Sequence, residues 1–381
     1  MARKLKRANG EGALNQRPDG TWEAKISLGH DGNGKRKRKT VYGRTQSEVF
    51  KKVETLKQQV ANGTYTDVRL TLAVYLERWL GEKARAVKPS TLEQYQMCVN
   101  RCINPRVGSI KLDKLTPLQV QGLISEIQDA SGTARAAKCR TILYSAYKQA
   151  IRWQLVTRNP VEATDPVREQ PREMTLWEPR QAARFLDTAR EHRLYAFFYL
   201  GMATGLRRGE LLGLRWRDIE GSMIQVRQTF VKVGGKLILS TPKTRKGYRT
   251  VALSPDVLEV LLLHRQRQEA EQAALGVYWP ETDLVFTSEV GTLLNPDNLK
   301  RVRNNLMDKA QVPRVRLHDL RHLHASVAIK GGMDAKVLAD RLGHSRASFT
   351  LDRYTHLFES QKAKSAVSLT GWLSSERGEP N

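Results

Sequence analysis

The sequence predicts a multidomain chain: a small N-terminal domain of three strands plus a helix, an all-α domain, and a mainly-α (α+β) third part carrying a small antiparallel sheet. Three observations lead there. WEAKISL (22–28) alternates apolar and polar residues with period two, then HDGNGK supplies turn residues before a second strand, KRKRKTVYG (35–43). Residues 68–160 carry only helix signals, and from 174 onward helices alternate with one strand-rich patch. At 381 residues the chain exceeds one typical domain, and its 40% hydrophobic fraction is ample for several buried cores.

In the first part, a short strand around Ala13 and Leu14 completes the sheet, and 45–59 reads as a helix. The expected domain covers 1–63. Its second strand opens with Lys35, Arg36, Lys37, Arg38 and Lys39. Such a run is commonly a solvated edge strand. A β-ribbon that sets these cations against phosphates is an equal reading. The expected helical domain covers 64–164. It holds a periodic stretch at 70–80, a capping box at Ser90-Thr91-Leu92-Glu93 opening a helix that ends before Pro105, and Thr116 ahead of Pro117. A long helix over 133–153 is stopped by Asn159-Pro160. DPVREQPRE (165–173) reads as a tether. The last part, 174–381, opens on a capping box at Thr175 to Glu178. Its strands are expected at 224–230, 236–239 and 249–253, with Gly234-Gly235 as a hairpin turn, and helices begin at Ser254-Pro255 and Asn295-Pro296.

Charge narrows the function. There are 64 Lys+Arg against 39 Asp+Glu, a net charge of +25. An excess of this size points to a polyanion, and neither a basic amphipathic helix nor a lipidation signal directs it to a membrane. No apolar run is long enough to span a bilayer, and the basic start MARKLKRANGEG lacks the apolar segment of a secretory signal. Cys98, Cys102 and Cys139 form no CxxC pair, which fits a reducing compartment and small core residues. Nucleic acid is the expected partner.

Four stretches of the third part can carry chemistry. In ATGLRRGELLGL (203–214), Gly205 ends an apolar helix, and Arg207 and Glu210 follow three apart. TPKTRK (241–246) places Lys243 on a turn before a strand. RLHDLRHLHAS (316–326) puts His318 and Arg321 on one helix face, with His322 four residues after His318. In RLGHSRASFTLDRYTHLF (341–358), Gly343 ends a helix, His344 follows, and Tyr354 shares an apolar stripe with Leu351 and Phe358. Taken singly, each has a plain alternative: a surface ion pair, a solvated lysine, a packed tyrosine. The HDLRH stretch also resembles the zinc-binding HExxH pattern with Asp in place of Glu. Asp is short for that base, no third ligand stands at a telling spacing, and Arg321 would set a cation beside the metal. No metal and no cofactor are expected.

Attack on a phosphodiester gathers negative charge on the non-bridging oxygens, so preplaced cations are the main requirement. Guanidinium forks meet it bidentately and stay charged. A nucleophile and a proton donor for the leaving 5′-oxygen complete the set. Arg207, Arg321, two histidines, Lys243 and Tyr354 can supply all of this without a metal.

GLRRGEL, Lys243, HDLR, LGHS and Tyr354, in that order and approximate spacing, resemble the tyrosine recombinase (phage integrase) family across the whole third part. The helical part resembles the family's core-binding domain, and the first part the three-stranded arm-binding domain of phage and conjugative-transposon integrases. The resemblance implies a site-specific DNA recombinase acting through a 3′-phosphotyrosine intermediate, with Tyr354 as nucleophile. Arg207 and Arg321 would clamp the phosphate, His318 would help move the tyrosine proton, and His344 would donate to a non-bridging oxygen. Lys243, or Lys246 if the turn register differs, would protonate the leaving oxygen, and Glu210 would orient its neighbours. Implied partners are double-stranded DNA at core and arm sites, a homotetramer on that DNA, a directionality factor and a host DNA-bending protein. The implied location is the bacterial cytoplasm or nucleoid. A type IB topoisomerase and a catalytically silent DNA-binding regulator are the alternatives. The tail residues Ala363, Ala366, Val367, Leu369, Trp372 and Leu373 form either a helix docking on a neighbouring subunit or a self-packed one.

Overall fold

The computed structural model describes residues 14–30, 36–61, 70–168, 176–242 and 245–344, together with 346, 348, 351 and 354. The expected tail helix, Phe358 and Thr175 lie outside these residues. Two compact units divide the chain, residues 1–170 and 171–381.

The first unit begins with an antiparallel sheet of β1 (Leu14–Gln16), β2 (Trp22–His30) and β3 (Arg36–Gly43), in that order, followed by α1 (Gln46–Ala61). Ala24 stands opposite both Leu14 and Val41. Strand alternation then puts Trp22, Ala24, Ile26 and Val41 on one face, where they pack with Val49, Val53 and Leu56 of α1. The other face carries Lys25, Arg38 and Tyr42, with the Arg17 guanidinium 5.4 Å over the Tyr42 ring.

The helical part of this unit runs through α2 (Leu72–Ala86), α3 (Pro89–Cys98), a π-helical turn (Val99–Ile103), α4 (Asn104–Val107), α5 (Pro117–Ser131) and α6 (Thr133–Arg152). Two sequence expectations are corrected here. The helix expected to open at Ser90 starts at Pro89, with Lys88 in the extended capping conformation. Proline has no N–H to satisfy in a first turn and its φ already suits one, so Ser90 falls inside the helix. The helical path also continues past Pro105. There the π turn shifts the bonding, the Asn104 N–H bonds the Val99 carbonyl, and the Arg106 guanidinium takes the Cys102 carbonyl at 3.0 Å. At Thr116 the expected cap is present, with Gln119 completing a capping box. Tyr75 donates to the Ala146 carbonyl (2.6 Å) and Tyr147 to that of Leu112 (3.0 Å), so both buried hydroxyls are satisfied. Cys98, Cys102 and Cys139 are free thiols in this core.

The second unit comprises α7 (Pro179–Ala189), α8 (Tyr195–Thr204), α9 (Arg208–Leu212), β4 (Ile219–Glu220), β5 (Met223–Val226), β6 (Thr229–Val233), β7 (Lys236–Ser240), β8 (Arg249–Ala252), α10 (Pro255–Leu275), α11 (Pro296–Lys309), α12 (Leu317–Lys330) and α13 (Ala335–Leu342). At the start of α7 it is Glu178 that caps, its N–H bonded to the Gln181 side chain at 2.9 Å. The continuous strand expected over 224–230 is broken, and the strands form two sheets, β4-β5-β8 and the β6-β7 hairpin. The break lets β6 approach α9 closely: a Cβ on Gly209 would collide with the Thr229 hydroxyl and the Phe230 carbonyl. Gln228 Nε2 holds the crossing point through the Gly213 carbonyl at 2.9 Å. Phe185, Phe197, Phe198 and Phe286 centre the core in edge-to-face pairs.

Helices α8 and α13 both end on left-handed glycines, Gly205 (φ 66°) and Gly343 (φ 67°). A Cβ on Gly205 would stand 2.7 Å from Leu342 Cδ2 and 2.8 Å from His324 Cδ2. Gly205→Ala therefore combines backbone strain with a clash and is expected to cost about 2–3 kcal/mol. Gly20 (φ 80°) has open space around it, and Gly20→Ala carries the strain alone, about 1 kcal/mol. Denaturant midpoints of the two variants check the difference.

Candidate active site

The site is built on the carbonyl end of α13. Gly343 closes the helix and leaves its last carbonyls to be satisfied from outside. Three guanidinium groups take three successive ones. Arg249 Nε bonds the Arg341 carbonyl (2.6 Å), Arg321 Nη2 that of Leu342 (2.5 Å), and Arg207 Nη2 that of Gly343 (3.0 Å). Arg321 Nη1 also bonds the Gly205 carbonyl at the end of α8 (2.8 Å). The negative ends of two helices thus receive the cations.

Glu210 ties this cluster from the other side. Arg207 is the N-cap of α9; its N–H donates to Glu210 Oε2 (2.9 Å) and its Nη1 to Oε1 (2.8 Å). Arg249 makes a fork to the same carboxylate, at 3.1 and 2.8 Å. Glu210 and the Arg249 side chain are 5% and 6% exposed, whereas Arg207 is 39% exposed and opens the cluster to solvent. Burial alone would push the Glu210 carboxyl up, but the Arg249 hydrogen bonds and charge, with Arg207 behind them, hold it at about 2. Burial pushes Arg321 down to about 9, with the Arg207 charge adding to the shift and Glu210 opposing it.

Tyr354 is 1% exposed, its ring packed with Ala325, Ala328, Ile329, Leu338 and Leu342 between α12 and α13. Its hydroxyl lies 2.5 Å from His322 Nδ1. Leu351, on the same apolar stripe, is 44% exposed; the tyrosine ring itself fills the groove. The His318 ring stands nearly perpendicular to that of His322, centroids 4.9 Å apart. His318 is exposed on the first turn of α12, and partial desolvation followed by the Arg321 charge lowers its pKa. His344 follows the Gly343 cap; burial, then Arg321 and Arg207, drive it down to about 3. Arg207, Glu210, His318, Arg321, His344 and Tyr354 therefore converge, while Lys243 lies outside the described residues. Lys246 is 56% exposed, 3.9 Å from Asp340.

Two members were not singled out from the sequence. Arg249 reads as a basic strand start; its signal is the period-two pattern that puts it on one face with the buried Val251 and Leu253. His322 was visible only as a partner of His318 in a metal pattern. Among the described residues no group of three His, Cys, Asp or Glu is placed to hold a metal ion. His324 is structural: Nδ1 meets the Met202 carbonyl (3.0 Å) and Nε2 accepts from Arg341 (3.1 Å). Of the basic run in the first unit, Lys35 lies outside the described residues and Arg36 and Lys37 begin β3. Arg38 and Lys39 are exposed on opposite faces of the strand.

Residues 176–361 match the phage integrase family, and residues 71–128 match its N-terminal SAM-like domain, together well over half of the chain. The chain belongs to the phage integrase family. Its members are tyrosine recombinases, enzymes that cut and rejoin DNA. A tyrosine recombinase XerC-like protein of Caldanaerobacter subterraneus subsp. tengcongensis is 29% identical over 368 residues, covering 90% of this chain and 94% of that relative. The ICEBs1 integrase of Bacillus subtilis is 22% identical over 362 residues, 93% of this chain and 98% of the other. The solved integrase of transposon Tn1549 in complex with a circular intermediate DNA shares the fold, with a TM-score of 0.68 at 19% identity over 77% of this chain and 98% of that one. In this phage integrase family member no helix among the described residues is long and apolar enough to cross a membrane.

Glu210→Gln leaves Arg249 buried without its counter-charge, which is expected to cost about 3–5 kcal/mol at neutral pH. The Glu210 carboxyl is lowered from 4.5 to about 2, so its contribution is complete above 4.5 and lost as pH falls toward 2. The stability gap between wild type and Glu210→Gln, measured by denaturant unfolding, should narrow over that interval.

Proposed function

We propose that this chain is the site-specific recombinase of a mobile element, and that Tyr354 attacks the scissile phosphate to leave a 3′-phosphotyrosine link and a free 5′-hydroxyl. The observation that carries the reading is the Tyr354 hydroxyl held at His322 and within electrostatic reach of Arg321, which belongs with Arg207, Arg249 and Glu210 to one charged cluster. A free phenol has a pKa of about 10 and is a poor nucleophile at neutral pH, so it needs cations and a proton acceptor around it. Arg207 and Arg321 hold the non-bridging oxygens; their bonds to Glu210 and the helix carbonyls use two of the five side-chain donors on each. His344 donates to a non-bridging oxygen, His318 assists the tyrosine proton, Lys243 protonates the leaving oxygen, and Glu210 orients Arg207 and Arg249. The phosphotyrosine link conserves the energy of the phosphodiester, so rejoining needs no ATP.

Three parts divide this work: an arm-binding domain (1–63), a core-binding domain (64–164), and, after the linker 165–173, the catalytic domain (174–381). Support comes from the separate apolar clusters of the sheet–helix part and the helical part, and from the unit boundary at 170/171. Lys25, Arg38 and Tyr42 on the outer sheet face suit phosphate and groove contacts. Exchange between two duplexes takes four active sites, so the working form is a homotetramer on double-stranded DNA, in the bacterial cytoplasm or nucleoid. A directionality factor and a host DNA-bending protein assist it.

Tyr354→Phe should give no covalent complex on a nicked suicide substrate while binding the same duplex with wild-type affinity. A persisting adduct contradicts the reading. Strand transfer between two marked duplexes, rather than relaxation alone, separates recombination from topoisomerase action. Removing residues 1–63 should preserve core-site cleavage but abolish bridging to distant sites, scored by recombination on plasmids with and without arm sequences. Binding of the intact chain should weaken steeply with added salt.

A further inference from the structure

The group that meets the Tyr354 hydroxyl is His322, the residue next to Arg321 and one turn beyond His318. Their separation is 2.5 Å, within a buried contact whose ring centroids lie 5.8 Å apart. We infer that His322 is a catalytic residue: its Nδ1 accepts the Tyr354 proton during strand cleavage and returns it during rejoining. This rests on Tyr354 being the nucleophile.

Geometry favours His322 in three ways. Both partners are at most 5% exposed, so bulk water has little access to the proton. His322 sits on α12 beside Arg321, which is bonded to two helix ends, and its backbone carbonyl accepts the Ser326 hydroxyl (3.0 Å). A neutral ring with its proton on Nε2 presents Nδ1 as the acceptor the phenol needs. The titratable groups that face it are Tyr354, His318 on α12 and His344 after α13, with Arg321 next in sequence; Arg207 at α9, Arg249 on β8 and Glu210 act in turn on Arg321.

The step balances. The phenol O–H breaks as Tyr354 Oη bonds phosphorus, and the proton passes to His322 Nδ1. The P–O5′ bond breaks, and its electron pair leaves on the 5′-oxygen, which takes a proton from the general acid. Rejoining reverses each transfer. His318, beside His322, then acts through it, consistent with its perpendicular ring at 4.9 Å.

The test compares wild type, His322→Asn and His322→Ala in single-turnover cleavage of a nicked suicide duplex across pH 5.5 to 9.5. Asparagine can hold the phenol through its side-chain oxygen but cannot take its proton. Both variants should cleave about 10²–10⁴-fold more slowly at neutral pH. Their rates should rise continuously with pH, whereas the wild-type rate should level off once the imidazole is neutral. A 5′-bridging phosphorothiolate, whose leaving group needs no proton, should not rescue either variant. DNA binding and unfolding midpoints of the same proteins report folding. Near-wild-type rates in His322→Asn, a wild-type pH profile, faster cleavage in either variant, or rescue by the thio-substrate would overturn the inference. An adduct formed by Tyr354→Phe would instead remove the nucleophile assignment beneath it.

Discussion

Helix termini carry unmade hydrogen bonds, and the catalytic unit is organised around two such ends. The αL glycines Gly205 and Gly343 stop α8 and α13 and turn their carbonyls toward one place. Arg321 spans both ends, and Arg207 and Arg249 complete the row on α13. The cations are therefore held by backbone in the free protein, and under the proposed mechanism little reorganisation would be left for the reaction itself. The arrangement also couples fold to site: a change at either glycine displaces the arginines.

Three guanidinium groups in one place repel each other, and the buried Glu210 carboxylate offsets this. It binds Arg207 and Arg249 at once and stays ionised despite burial. Arg321 rests on the helix carbonyls, with Glu210 acting on it only through its charge, in keeping with its lowered pKa. A dianionic transition state would supply the missing counter-charge, which is the differential binding catalysis requires. The histidines pressed toward their neutral forms, His318 and His344, suit proton traffic rather than charge.

Much of this was legible in the sequence where local chemistry decides the outcome. The glycine stops, the Thr116–Pro117 cap and the N-terminal hairpin follow from short-range rules. Where distant packing decides, the pattern misled. The β5 to β6 break at Arg227 and Gln228 exists because Gly209 admits β6, and nothing near residue 228 announces it. The π turn before Pro105, where the Asn104 N–H bonds the Val99 carbonyl, leaves no mark in the apolar pattern. In the site, the order of Arg207, His318, Arg321, His344 and Tyr354 was recognisable as a family pattern. Arg249 was not, because its partner Glu210 lies 39 residues away. His322 stood out only as the partner of His318 in a metal pattern, since a helix pattern shows that two histidines share a face but not what stands opposite them. Tyr354 proved to be both things its apolar stripe allowed, a packed ring and a hydroxyl aimed at the polar cluster.

The central claim is that the Tyr354 oxygen bonds DNA phosphorus. Trapping the protein on a nicked duplex, digesting it, and sequencing the peptide that retains nucleotide tests this most directly. A single modified residue is expected, Tyr354, joined to a 3′-phosphate at one position of the core site. A nucleotide on any other residue, or on a 5′-phosphate, would contradict it.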